Sequence, residues 1–203
     1  MSPFDVILFD VGGVLLTNGW DRRERAAAAE HFHIDLPSLE AHHLAVVDAW
    51  ERGEIDLNTY LDAAVFYEPR PFSREDFFAF ILSQSQVLPD GALGILGQLA
   101  TSNHCTIGAL NNEARETNEY RFKQFGLRRY FKLALSSCFV GRRKPELAMY
   151  RCAVDILGVP AERILFIDDR QENANGATAA GMKAIVFQGE AALRQELQGL
   201  GVL

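Results

Sequence analysis

Long apolar runs are missing from this 203-residue chain, and none approaches the length a helix needs to cross a bilayer. Cysteine is scarce: Cys105, Cys138 and Cys152 are odd in number, widely spaced and set among apolar residues. That pattern argues against a disulfide framework or a zinc cluster and for reduced core thiols. Positive charge is thin. The net charge is −7, no lysine precedes Lys123, and no basic stripe carries interleaved aromatics. Affinity for phosphate backbones comes from Lys and Arg, so neither nucleic acid nor an anionic membrane is expected as a partner. The first apolar run begins at Val6, so no signal peptide is expected. A cytoplasmic protein acting on something small is the expectation.

What is present is a 48% apolar composition, enough for one sizeable core and a modest insertion. Two short apolar runs, Val6-Ile7-Leu8-Phe9 and Ile164-Leu165-Phe166-Ile167, have the texture of strands buried on both faces of a parallel sheet. Each leads into acid: Asp10-Val11-Gly12-Gly13 after the first, Asp168-Asp169 after the second. Ligands of open α/β sheets bind outside the carboxyl ends of strands, so both acidic groups should meet at one edge. Crowded carboxylates repel and need a cation, a shared proton or a chemical task. Helix capping, which Asp favours, accounts for one such residue but poorly for three.

From Leu93 the chain alternates strand-like and helix-like stretches. Strands are expected at Cys105–Leu110, Leu133–Ser136, Ile164–Asp168 and Ala184–Phe187. Helices are expected at Glu113–Gln124, closed by Gly126; at Pro145–Leu157; at Asn173–Ala180, stopped by Gly181; and at Glu190–Leu200. This βαβ rhythm implies an α/β fold, a three-layer doubly wound parallel sheet with right-handed crossovers. Residues 1–16 and 89–203 would form it.

Thr17–Leu88 breaks the rhythm, with helical texture at Arg22–Phe32, Leu36–Glu51, Leu57–Tyr67 and Arg74–Leu82 and no strand. It holds ten of the 21 aromatic residues and 13 acidic against 6 basic side chains, so the whole negative balance lies here. The expectation is a small helical cap, 17–88, inserted after the first strand and lying over the acidic edge. Its histidines, His31, His33, His42 and His43, suit packing or surface positions better than a shared metal site. Trp20, Arg22, Arg23, Trp50 and Arg52 are candidates for touching a substrate.

The order of motifs resembles the haloacid dehalogenase-like hydrolases, mostly phosphatases, over nearly the whole chain. The resemblance implies that Asp10 is a nucleophile that becomes an aspartyl-phosphate. It implies a Mg²⁺ site made by Asp10, the Gly12 carbonyl and Asp169, with Asp168 acting through water or through Lys144, and Asn173 orienting the group. Lys144, followed by Pro145, would screen charge between Asp10 and the phosphoryl group. Asn111 stands where the family places a phosphate-binding Ser or Thr, with Asn112 beside it, and Gly13 would let the backbone approach phosphate. Gly12 departs from the pattern, because most family phosphatases carry there an Asp that protonates the leaving group. A branch that includes glucose-1-phosphate phosphatases shares that departure.

The expected function is therefore Mg²⁺-dependent hydrolysis of a small phosphorylated metabolite; because Gly12 offers no acid, a relatively acidic leaving group is expected, such as a sugar phosphorylated at its anomeric oxygen. The departures at Gly12 and Asn111 leave a second reading open, a non-catalytic binder of phosphorylated metabolites on the same fold.

Overall fold

In the computed structural model, which describes residues 3–102 and 104–203, five parallel strands form the central layer. They are β1 (Val6–Phe9), β2 (Thr106–Asn111), β3 (Leu133–Ser136), β4 (Ile164–Asp168) and β5 (Lys183–Val186), in the order β3-β2-β1-β4-β5. β1 is central, with Phe9 level with Ala109 on one side and Ile167 on the other. Winding runs one way from β1 through β2 to β3 and the other way from β4 to β5, so the switch point lies between β1 and β4.

Alternation along each strand divides the core in two. Ile7, Phe9, Ile107, Leu165 and Ile167 face one side, packed with Ile95 and Leu99 of α5 (Leu93–Ser102), Phe122 of α6 (Arg115–Gln124) and Leu197 of α10 (Glu190–Gly199). Val6, Leu8, Leu110 and Phe166 face the other, against Met149 and Tyr150 of α8 (Leu147–Leu157) and Ala177 of α9 (Gln171–Ala179). Both faces being covered explains why β1 and β4 are apolar without a break.

The segment after β1 contains α1 (Arg22–Phe32), α2 (Leu36–Glu51), α3 (Leu57–Ala64) and α4 (Arg74–Ser83). Each starts on a side-chain cap: Asp21, Asp35, Asp56 and Ser73, the first and last as capping boxes. These helices share their own apolar cluster, centred on Leu39, Trp50, Tyr60 and Phe77. The chain leaves and re-enters the sheet layer through one narrow pairing: Leu16 bridges Val87, and backbone bonds join Thr17 to Gln86 and Leu88 to Leu15. A short helix α7 (Ser137–Val140) follows β3.

Most element ends fall within one or two residues of the sequence expectation; α3 is the exception, ending at Ala64 where Tyr67 was expected, and two late helix starts are instructive. The helix expected from Pro145 starts at Leu147, because Glu146 remains extended at ψ 131°. The one expected from Glu113 starts at Arg115, because Glu113 is drawn into the site below the sheet edge.

Candidate functional site

Asp10 follows β1 directly, and its backbone N–H donates to Ile167 O (2.8 Å), which ties the two strand ends together. The neighbouring β4 ends at Asp168. One carboxylate oxygen each from Asp10, Asp168 and Asp169 lies within 4.8 Å of the others. The sequence expectation that the acids meet at one edge is thus realised geometrically.

Lys144, 2% exposed, holds the group together. Its Nζ lies 2.9 Å from Asp10 Oδ1 and donates to Asp168 Oδ2 at 2.6 Å. Asp168 is fully buried and has four donor contacts: Lys144, the Arg170 N–H (2.9 Å), and Asn173 Nδ2 to both oxygens (2.9 and 3.1 Å). So many donors keep Asp168 turned toward protein. Asn173 is itself fixed from behind, since Tyr150 donates to its carbonyl at 2.8 Å.

Asp169 is the opposite case: among the described residues no other residue donates a hydrogen bond to its side chain. It lies against Gly13, which takes φ +71°; a Cβ there would sit 2.2 Å from Asp169 Oδ2. Only glycine permits that approach. Burial pushes the Asp10 carboxyl up to about 7; Lys144 opposes the rise, and Asp168 and Asp169 add to it. Burial and then Asp168 raise Asp169 as well. Three carboxylates around one ammonium leave an excess of negative charge beside hard oxygen donors. That set fits a small divalent cation such as Mg²⁺.

Asn111 and Asn112 separate. Asn111 is 2% exposed and its amide is satisfied within the protein: Nδ2 donates to Asn118 Oδ1 (3.0 Å), and Oδ1 accepts from Ser136 Oγ (2.8 Å). The expected contact from this amide to a phosphate is not what its present partners favour. Asn112 lines the cavity and clasps the backbone of Lys144, donating to its carbonyl and accepting from its N–H, each at 2.8 Å. That double bond fixes where Lys144 leaves its loop.

Above these residues lies a cavity of about 430 Å³. Asp10, Gly12, Asn112 and Lys144 line its floor; Trp20, Arg25, His43 and Glu51, from the segment after β1, contribute to its walls. Of these, only Trp20 was singled out by sequence. Glu51 and His43 carried no separate signal because helix periodicity does not tell a buried wall from a buried core. Burial pushes Glu51 up to about 7, with Glu113 adding to the rise, and drives His43 down to about 4. Arg121, 3% exposed, reaches in from α6, donating to Glu113 (2.8 Å) and to Thr17 O (2.6 Å).

Residues 4–181 match the sequence profile of the haloacid dehalogenase-like hydrolases. The chain belongs to that family. Flavin mononucleotide hydrolase 1 of Arabidopsis thaliana is 32% identical over 180 residues, covering 84% of this chain and 72% of that protein. Phosphoglycolate phosphatase of Thiobacillus denitrificans is 26% identical over 190 residues, covering 88% and 81%. A haloacid dehalogenase family enzyme from Bacteroides thetaiotaomicron, solved as its magnesium complex, superposes with a TM-score of 0.79 at 20% identity, covering 93% and 95%. L-2-haloacid dehalogenase of Xanthobacter autotrophicus gives a TM-score of 0.64 at 21% identity, over 98% and 84%. Those two structures share the fold. This haloacid dehalogenase-like hydrolase has no helix, among the described residues, long and apolar enough to cross a membrane.

Proposed function

We propose that the chain is a Mg²⁺-dependent phosphatase that cleaves a small phosphomonoester through an aspartyl-phosphate on Asp10. The observation that carries this reading is the trio of Asp10, Asp168 and Asp169 oxygens within 4.8 Å, clamped by Lys144. Relatives named as an FMN hydrolase and a phosphoglycolate phosphatase support the same class of substrate.

In this reading Asp169 and Asp10, with the Gly12 carbonyl, hold Mg²⁺, which when bound neutralises charge on the phosphoryl oxygens. Asp10 Oδ1 is held by the Val11 N–H (2.8 Å) and Lys144, which leaves the second oxygen free to attack phosphorus. The carboxylate adds to phosphorus as the bond to the leaving oxygen breaks, and water then displaces phosphate from the acyl-phosphate. Lys144 draws charge off the transferring group. Asn112 positions Lys144, and Asn111 acts from beneath through Asn118 and Ser136. Residues 17–88 form a cap over the cavity, excluding water and selecting the leaving group through its walls.

The test is release of phosphate from p-nitrophenyl phosphate. It should require Mg²⁺, stop on chelation, and vanish in Asp10→Asn. Added Mg²⁺ should also raise the melting temperature of the wild type and leave that of Asp169→Asn unmoved. Saturable phosphate binding with no turnover over a broad panel of esters would reverse the conclusion in favour of a binding protein.

A further inference from the structure

Where the family resemblance expects a proton-donating side chain, Gly12 has none, and nothing acidic fills the gap. A Cβ on Gly12 would meet Asn18 Oδ1 at 3.0 Å, Asn18 Cα at 3.5 Å and Arg121 Nη1 at 3.9 Å. An amide and a guanidinium occupy the place; neither gives up a proton near neutral pH. Any acid must come from another wall of the cavity.

Besides Asp10, four carboxylates line it: Asp21, Glu51, Glu146 and Glu172. Asp21 caps α1 and pairs with Arg170 at 3.2 Å, 41% exposed. Glu146 pairs with Arg52 and is 43% exposed. Glu172 is exposed in the first turn of α9. Glu51 differs. Its Oε2 is sealed from solvent yet accepts no hydrogen bond; Arg143 Nη2 lies 2.7 Å away without being aligned to donate. The side chain keeps 22% exposure.

Glu51 lines the same cavity as Asp10 and is tied to the loops that follow β2 and β3. Its backbone carbonyl accepts from Ser137 Oγ at 2.6 Å, and the same hydroxyl accepts from the Glu113 N–H at 2.9 Å, one residue past Asn112. Next to it, Trp50 Nε1 donates to Glu116 at 3.2 Å. The last turn of α2 is thus tied to the β2 and β3 ends that carry the phosphate side.

We propose that Glu51 is the general acid and base of this hydrolase, supplying from the cap the proton that Gly12 cannot. The inference rests on the phosphoryl-transfer reading above. As Asp10 attacks, the P–O bond to the leaving group breaks and Glu51, as the carboxylic acid, gives its proton to the departing oxygen, which leaves as an alcohol. The Glu51 carboxylate then takes a proton from the water that attacks the aspartyl-phosphate. That step restores the Asp10 carboxylate and the Glu51 acid and releases hydrogen phosphate.

The groups facing Glu51 suit this. Glu113 favours the protonated form; Arg170, Lys144, Arg25 and Arg143 are the positive groups around it, and Tyr60 of α3 stands nearby. Burial, then Glu113, against Arg170, Lys144 and Arg25, leave the carboxyl at about 7, where it exchanges protons readily. A substrate with an intrinsically acidic leaving group is then not required.

The experiment compares two esters with Mg²⁺, p-nitrophenyl phosphate and glycerol 2-phosphate, on wild type, Glu51→Gln and Asp10→Asn. For Glu51→Gln, kcat/KM on glycerol 2-phosphate should fall by about 10²–10⁴-fold, the worth of a positioned acid, since an alkoxide needs a proton to leave. On p-nitrophenyl phosphate it should fall by less than about tenfold, with a burst of nitrophenolate ahead of slowed hydrolysis. Equal losses on both esters, or no loss, overturn the assignment. The unmodified protein gives a second reading should the variant not fold: kcat/KM for the glycerol ester should decline above about pH 7 while that for the nitrophenyl ester does not. Coincident profiles overturn it. Asp10→Asn should be inactive on both esters whatever Glu51 does. A wild type that cleaves neither ester overturns the phosphatase reading itself.

Discussion

His43 gives the sharpest quantitative prediction. It is 4% exposed on α2, and its Nδ1 lies 2.8 Å from the Tyr60 hydroxyl. That hydroxyl already accepts from Trp20 Nε1 at 2.7 Å, so its own proton is available for His43 Nδ1. The imidazole proton then sits on Nε2, and the ring is neutral. Burial, and after it Arg25, against Glu40 and Asp21, bring its pKa from 6.5 down to about 4. Between those values the unfolded chain binds a proton that the folded protein refuses, so stability falls as pH falls through the window. At about 1.4 kcal/mol per pH unit the gap is worth at most about 3 kcal/mol. For a chain of this size that is about 6–12 °C in melting temperature.

Asp10 and Glu51 act with the opposite sign. Their carboxyls, raised to about 7, hold protons the unfolded chain releases, so their contribution declines as pH rises from the ordinary carboxylate range toward 7. Absolute stability curves therefore mix two slopes, and the comparison with His43→Phe separates them. Phenylalanine leaves the Tyr60 hydroxyl without its acceptor, a penalty of about 1–3 kcal/mol that does not depend on pH. The variant should be less stable at pH 7.5, and the difference should shrink by about 3 kcal/mol, or reverse, by pH 4. Thermal melts of both proteins at half-unit intervals measure it. Parallel curves across the window, or a His43 imidazole that titrates near 6.5 in the folded state, would show that burial does not hold this ring neutral.

Gly13→Ala should lower the melting temperature by only about 2–8 °C, from about 1–2 kcal/mol for a left-handed alanine. It should also raise the Mg²⁺ concentration needed for half-maximal activity at least tenfold, because the new Cβ displaces Asp169; unchanged Mg²⁺ dependence would contradict the contact. Lys144→Met should abolish turnover and cost about 3–5 kcal/mol by leaving buried carboxylates uncompensated, read by urea unfolding. Added Mg²⁺ should recover part of that loss, and a variant as stable as wild type would show that the clamp carries no weight.

The sheet was legible because both faces of β1 and β4 are covered, which makes them apolar without a break, and because Asp10 and Asp168 sit where such strands must end. The chemistry of the floor was legible for a related reason: carboxylates at strand ends have few structural uses. The walls were not. Glu51 ends a helix whose buried positions include Leu39, His43 and Trp50, and periodicity alone assigns all of them to packing. Only the fold shows that α2 gives Leu39 and Trp50 to its own cluster while His43 and Glu51 line the cavity. Helix starts were misplaced where a tertiary bond wins over local preference: Glu113 is held by Ser137, and Asn112 grips the backbone of Lys144 just before Pro145.

The two departures from the family pattern meet at one place in the structure. Gly12 looks like a deletion, yet the volume it frees is taken by Asn18 and Arg121, and Arg121 is anchored on Glu113 and on the carbonyls of Thr17 and Asn18. Asn111 looks like a weakened phosphate ligand, yet its amide joins Asn118 and Ser136, and through Nδ2 reaches the same Glu113 at 3.4 Å. Both substitutions therefore converge on one buried pair, Glu113–Arg121, whose side chains are 10% and 3% exposed. A pair so buried is costly to break, because the partner left behind is an uncompensated charge. Gly12 and Asn111 should consequently be coupled. Restoring an Asp at position 12 alone would crowd Asn18 and place a second carboxylate beside Arg121, in competition with Glu113. Gly12→Asp should lower activity, with Asn18→Ala in the same chain relieving part of the loss. If Gly12→Asp alone raises kcat on alkyl esters, the site tolerates the ordinary acid where it usually stands, and the pocket has not been rebuilt around its absence.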